Sequence, residues 1–139
     1  MRLQKNTLLA LYSVLEFAAQ PGRQLSVAGI AASLRASPHH LAKVLRTLGR
    51  AGLVDSVRGA RGGYRFAGNA RRVTLMDVIG LFEDIGATPP RARRSRRPAE
   101  LALEQVLREI DDTARATFGS VTLDTMLKLI GRRDAKATG

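Results

Sequence analysis

A chain of 139 residues with 45% apolar side chains is long enough to bury one core and too apolar to stay disordered. Its 23 Lys and Arg against 12 Asp and Glu give a formal charge of +11. It has no cysteine, which excludes disulfides, zinc–thiolate sites and cysteine-ligated iron–sulfur clusters. The excess charge is local: residues 1–72 carry twelve basic and two acidic side chains, residues 73–98 five and three, and residues 99–139 six and seven. That division predicts a polyanion-binding first half joined to a segment that needs no polyanion.

In chain order, Leu8, Leu11, Tyr12 and Leu15 fall at i, i+3, i+4 and i+7, which predicts a first helix ended by Pro21-Gly22. Arg2 and Lys5 ahead of Thr7–Ala19 faintly resemble a secretory leader, but Glu16 interrupts the run and the spacing is helical. An ordinary first helix and a cytoplasmic protein are expected, with no membrane partner, because no apolar run approaches the length of a span. Ser26 is placed to cap a short helix burying Val27, Ile30, Ala31 and Leu34. Ser37 caps the next, with Pro38 at its first position, Leu41, Val44, Leu45 and Leu48 on its apolar face, and Gly52 as its left-handed stop. Two short helices about a tight turn make a helix-turn-helix.

Leu53–Val57 and Tyr64–Ala67 are β-prone runs around a glycine-rich tip, hence a hairpin. Thr74 and Asp77 have capping-box spacing before a helix that buries Leu75, Val78, Ile79 and Phe82. Residues 86–98 can form no apolar face, and Arg91, Arg93, Arg94, Arg96 and Arg97 repel one another, so a flexible surface loop is expected there. A long helix follows from Pro98 to about Thr117, its stripe made by Leu103, Leu107, Ile110 and Ala114 and widened by Val106, with Gly119 breaking it. Thr122 caps a last helix burying Leu123, Met126, Leu127 and Ile130, Gly131 closes it, and residues 132–139 are expected as a disordered tail. The expected fold is mainly α with a small β-hairpin wing: a winged helix-turn-helix over residues 1–85, the Arg-rich loop 86–98, and dimerisation helices over 99–131.

The chemistry concentrates between Ser37 and Tyr64. No acidic residue lies between Glu16 and Asp55, so nothing in that stretch repels phosphate. A helix with Ser37, Pro38, His39, His40, Lys43 and Arg46 along one side suits the DNA major groove, and Arg50 extends that side. A glycine-rich loop carrying Arg58 and Arg61 suits the backbone or the minor groove. The bland alternative for the two histidines is a solvated polar face. Adjacent histidines on a helix point roughly 100° apart and cannot chelate one metal in the usual i, i+4 manner, so no metal site and no cofactor are expected. No histidine is matched to a nucleophile and an orienting acid, so no catalytic residues are expected and the chain is not read as an enzyme. The stripe Leu103/Leu107/Ile110/Ala114 either covers the first domain or meets a partner; a helix apolar over four turns after a flexible loop favours a second copy of itself.

Taken together, these residues resemble the bacterial Rrf-type winged-helix regulators along nearly the whole chain. The resemblance rests on Met1-Arg2-Leu3, the segment 37–45, Ala51-Gly52-Leu53-Val54, the segment 57–64, the segment 73–79 and Val121-Thr122-Leu123. It implies a homodimeric transcription factor, usually a repressor, on double-stranded DNA, with each recognition helix in a major groove and each wing in an adjacent minor groove. It implies that His39, His40 and Lys43 meet base edges or nearby phosphates, and that Arg58 and Arg61 belong to the wing contact. Where some relatives carry a polar or acidic residue, Ala42 can touch a thymine methyl but cannot hydrogen-bond. Members that sense iron, nitric oxide or oxidants carry three cysteines in the loop before the dimer helix. Here that loop has five arginines, Ser95 and no cysteine. The loop is then either a binder of an anionic effector or of DNA, or a solvated connector left after sensing was lost; the effector, if one exists, is unknown. A sequence-indifferent architectural DNA- or RNA-binding protein is the alternative function. The ratio of specific to random affinity separates the two, specific regulators gaining ~10³ or more.

Overall fold

The computed structural model describes residues 1–59, 62–86 and 97–138. Helix α1 (Lys5–Ala19) is the hub: Leu9, Ala10, Leu11, Val14, Leu15, Phe17 and Ala18 are all buried. Helices α2 (Val27–Leu34) and α3 (Pro38–Arg50) pack against it and against each other. Their starts are set by side-chain caps, Ser26 Oγ accepting from the Gly29 N–H at 3.0 Å and Ser37 Oγ accepting from the His40 N–H at 3.4 Å. Gly52, at φ 78°, supplies the left-handed residue that turns the chain out of α3.

Strands β1 (Val54–Val57) and β2 (Gly63–Phe66) pair antiparallel with Val54 opposite Phe66 and Val57 opposite Gly63. A third piece joins them. Leu25 exchanges both backbone hydrogen bonds with Tyr64, at 2.8 and 3.0 Å, so the segment before α2 acts as a one-residue strand against β2. The approach is close enough that only glycine fits at residue 63, where an added Cβ would lie 2.5 Å from the Leu25 carbonyl oxygen. The wing is thereby tied to the helical body.

Helix α4 (Leu75–Ile79) starts in the expected capping box: Thr74 Oγ1 accepts from the Asp77 N–H at 3.1 Å, and Asp77 Oδ2 from the Thr74 N–H at 2.9 Å. The segment after it returns to α1. Glu83 Oε2 accepts from the Gln4 N–H at 2.8 Å and from the Thr7 hydroxyl, placing a carboxylate on the positive end of α1.

Helix α5 (Pro98–Ser120) has no buried residue, while Leu123 at the start of α6 (Leu123–Thr138) is fully buried in the core. An isolated bridge between Thr74 and Thr122, with hydrogen bonds from the Leu75 N–H to Val121 O and from the Leu123 N–H to Val73 O at 2.9 Å, fixes the α5–α6 junction on the start of α4. Arg115 is a second anchor, donating to the Ile85 carbonyl and lying 3.8 Å from Asp84.

Two expected ends are corrected. Helix α5 runs through Gly119 to Ser120, and α6 runs through Gly131 to Thr138, so residues 132–138 continue the helix where a disordered tail was expected. A glycine ends a helix by adopting positive φ, and neither Gly119 nor Gly131 does so. Inside a helix glycine costs only about 1 kcal/mol relative to alanine. Lys136 in the last turn of α6 favours continuation past Gly131.

Gly63→Ala is expected to destabilise the chain by about 1–3 kcal/mol in urea unfolding, the usual cost of forced overpacking. An unchanged midpoint would show that the wing is not fastened through Leu25.

Candidate nucleic-acid interface

Helix α3 is divided by its own periodicity. Leu41, Val44, Leu45 and Leu48 are buried, each worth roughly 1.5–3 kcal/mol by transfer. That orientation leaves His39, Lys43, Arg46 and Arg50, at i, i+4, i+7 and i+11, exposed in one line along the opposite side. Ser37, Pro38 and His40 are exposed at the N-terminal turn, where the helix dipole adds partial positive charge and no acidic residue offsets it. A rigid helix thus presents cations and hydrogen-bond donors to solvent with nothing anionic among them.

Arg58 is exposed just beyond β1. Arg61, expected at the wing tip, lies outside the described residues, as do Arg91, Arg93, Arg94 and Arg96 of the Arg-rich segment. Arg97 is exposed and occupies the N-cap of α5, its N–H donating to Glu100 Oε2 at 3.4 Å. The single acid of the wing, Asp55, sits opposite Arg65 in the β-ladder, so a cation faces it across the strands.

The structure adds cations that the sequence pattern did not assign. Arg35 ends α2 at φ 54°, in the left-handed region, and is the one non-glycine residue of positive φ among those described. Arg71 and Arg72 are exposed in the turn held by Asn69, whose Oδ1 accepts from the Arg71 N–H at 3.0 Å. Their charge counts in the sequence, but no periodicity marks where an isolated loop arginine will sit.

On α5, Leu103 is 59%, Val106 50%, Leu107 50% and Ile110 55% exposed, and Ala114 is half-buried. An exposed apolar row of that kind is a candidate contact surface. No group of three or more His, Cys, Asp or Glu able to hold a metal ion occurs among the described residues, and no described helix is long and apolar enough to cross a membrane.

A helix-turn-helix with a tethered wing, followed by a long helix, is a fold shared with known proteins. Residues 3–129 match the Rrf2 family, described as an iron-dependent transcriptional regulator. The chain is 53% identical over 130 residues, 94% of its length and 83% of the relative's, to a protein of Rhodopseudomonas palustris that bears the name HTH-type transcriptional regulator BadM. Its structure is similar to that of CymR, the global cysteine regulator of B. subtilis, with a TM-score of 0.77 at 27% identity over 93% of this chain and 98% of that one. It is also similar to T. potens IscR, with a TM-score of 0.63 at 26% identity over 92% and 87% of the two chains. The chain belongs to the Rrf2 family of winged-helix transcriptional regulators.

Proposed function

We propose that this regulator is a homodimeric repressor that reads a two-fold operator with α3 and works without an iron–sulfur cluster and without enzymatic activity. The observation that carries the reading is the division of α3, whose buried leucine and valine row fixes a continuous cationic row outward. His39, His40 and Lys43 reach base edges, with Arg46 and the capped N-terminal turn of Ser37 and Pro38 on phosphate. Arg58 and Arg61 reach beside the wing, where a narrow A·T-rich minor groove attracts arginine. The family's iron dependence does not transfer through a cluster, because this chain offers no thiolate and its two histidines are adjacent.

The second copy enters through α5. Leu103, Leu107, Ile110 and Ala114 recur at helical spacing, the first three at least half exposed to water, and pairing about a two-fold axis covers both rows at once. A dimer also matches the two half-sites that a pseudo-palindromic operator provides.

Two experiments test these parts separately. Ile110→Asp puts a charge into the α5 row and is expected to give monomers by light scattering with the melting of the first domain retained; a normal dimer would remove α5 from the interface. On an operator selected from a random pool, His40→Ala and Lys43→Ala are each expected to cost about 1–3 kcal/mol, and far less on random DNA at the same salt. Arg58→Ala is expected to cost most on operators with A·T-rich flanks. Equal losses on operator and random DNA would instead support a sequence-indifferent nucleic-acid binder.

A further inference from the structure

Between α1 and the turn joining α2 to α3 lies a cavity of about 340 Å³, within the range of small-molecule pockets. Its walls are apolar, built by Leu8, Leu9, Tyr12 and Leu34. Its basic groups are Lys5, Arg35 and His40, Tyr12 adds a phenol, and no carboxylate lines it. An apolar chamber whose ionic groups all carry one sign is complementary to an amphiphilic anion.

Two features set this cavity apart from an accidental surface dent. Tyr12 is 53% exposed on a helix whose neighbouring residues are otherwise core, leaving an aromatic face available. Arg35 occupies a left-handed position, φ 54°, that glycine would fill without strain. Among the described residues no carboxylate pairs with its guanidinium. An arginine kept at backbone cost beside an open apolar wall offers a planar fork for a carboxylate.

We propose that this cavity is an effector site for a small organic acid, an apolar body of roughly six to ten carbons ending in one carboxylate. The body lies on Tyr12 and Leu34, and the carboxylate meets Arg35 with Lys5 and His40 beside it. His40 also belongs to the first turn of α3, and Ser37 at the rim is the cap of that helix. An occupied cavity therefore neutralises charge that phosphate would otherwise use and packs against the start of the reading helix, lowering DNA affinity. This last step rests on the DNA-reading role proposed above; ligand binding itself does not.

The test uses the full chain, with octanoate as probe and octanamide and acetate as controls, in isothermal titration calorimetry. Arg35→Gly removes the guanidinium while relieving the left-handed strain, so its thermal midpoint is expected to hold or rise. Tyr12→Asp places a like charge on the apolar wall. Octanoate is expected to saturate at one molecule per chain, with octanamide, acetate, Arg35→Gly and Tyr12→Asp each weakening binding by about tenfold or more. Absence of octanoate binding, equal binding by acetate, or undiminished binding by Arg35→Gly would overturn the site. Binding by the Ile110→Asp monomer alone would also overturn it, assigning the cavity to the second copy. In a separate titration, saturating octanoate is expected to lower DNA affinity about fivefold in the wild type and not in Tyr12→Asp. Unchanged wild-type affinity with octanoate bound would overturn the effector role. A chain that bound no DNA would defeat the proposed function, while calorimetry would still decide the cavity.

Discussion

The burial of one row of α3 on α1 constrains everything else in this molecule. Leu41, Val44, Leu45 and Leu48 lose nearly all contact with water, and a helix has 3.6 residues per turn. Once that row is inside, His39, Lys43, Arg46 and Arg50 have no orientation open to them but outward. Rotating the helix by a single position would drive an arginine or lysine into a core where, among the described residues, no buried carboxylate waits to receive it, a penalty of several kcal/mol. The outward cationic face therefore follows from apolar burial and needs no separate device to hold it. The rest of the first domain secures α1 in turn, through Glu83 on its positive end and the wing through the Leu25–Tyr64 exchange.

The same rigidity extends to α5. The Thr74–Thr122 bridge, the burial of Leu123 and the Arg115 contact with Ile85 O fix the far end of the long helix to the body that carries α3. In the proposed dimer, pairing of α5 then sets the separation and tilt of two reading helices without a flexible joint in the described path. At ~1.5 Å per residue, the 23 residues of α5 span about 35 Å, comparable to one turn of DNA. The balance of charge fits the proposed division: residues 1–72 carry twelve basic and two acidic side chains, whereas residues 99–139 carry six and seven.

Much of this was legible in the sequence because it is local. Ser26, Ser37-Pro38, Thr74 with Asp77, and Thr122 mark helix starts through hydrogen bonds that span three residues, and the row of α3 declares its buried face. The row of α1 does so only in part: Leu11 and Leu15 are buried, but Tyr12 faces water and Leu9, Val14 and Phe17 outside the row are core. What escaped depends on distance in the chain. Glu83 caps α1 from 76 residues away in reaching Thr7, and the one-residue strand at Leu25 has no run from which a pattern could be read. Gly119 and Gly131 mislead for a different reason: their residue type suggests a stop, whereas a helix ends by conformation, and unlike Gly52 neither takes a positive φ. Arg35 escaped for the converse reason, holding a left-handed position that its type disfavours. The cavity beside it exists only once α1 and the α2–α3 turn are brought together.

The central claim is that two α3 faces, held at a fixed separation, read DNA together. It is tested most directly by changing the spacing between half-sites of the selected operator. Inserting about five base pairs turns one half-site to the opposite side of the duplex, whereas about ten restores its face. The account predicts a loss of affinity of about a hundredfold for the half-turn insertion at fixed salt. Affinity that ignores spacing, or equals that of a single half-site, would contradict it.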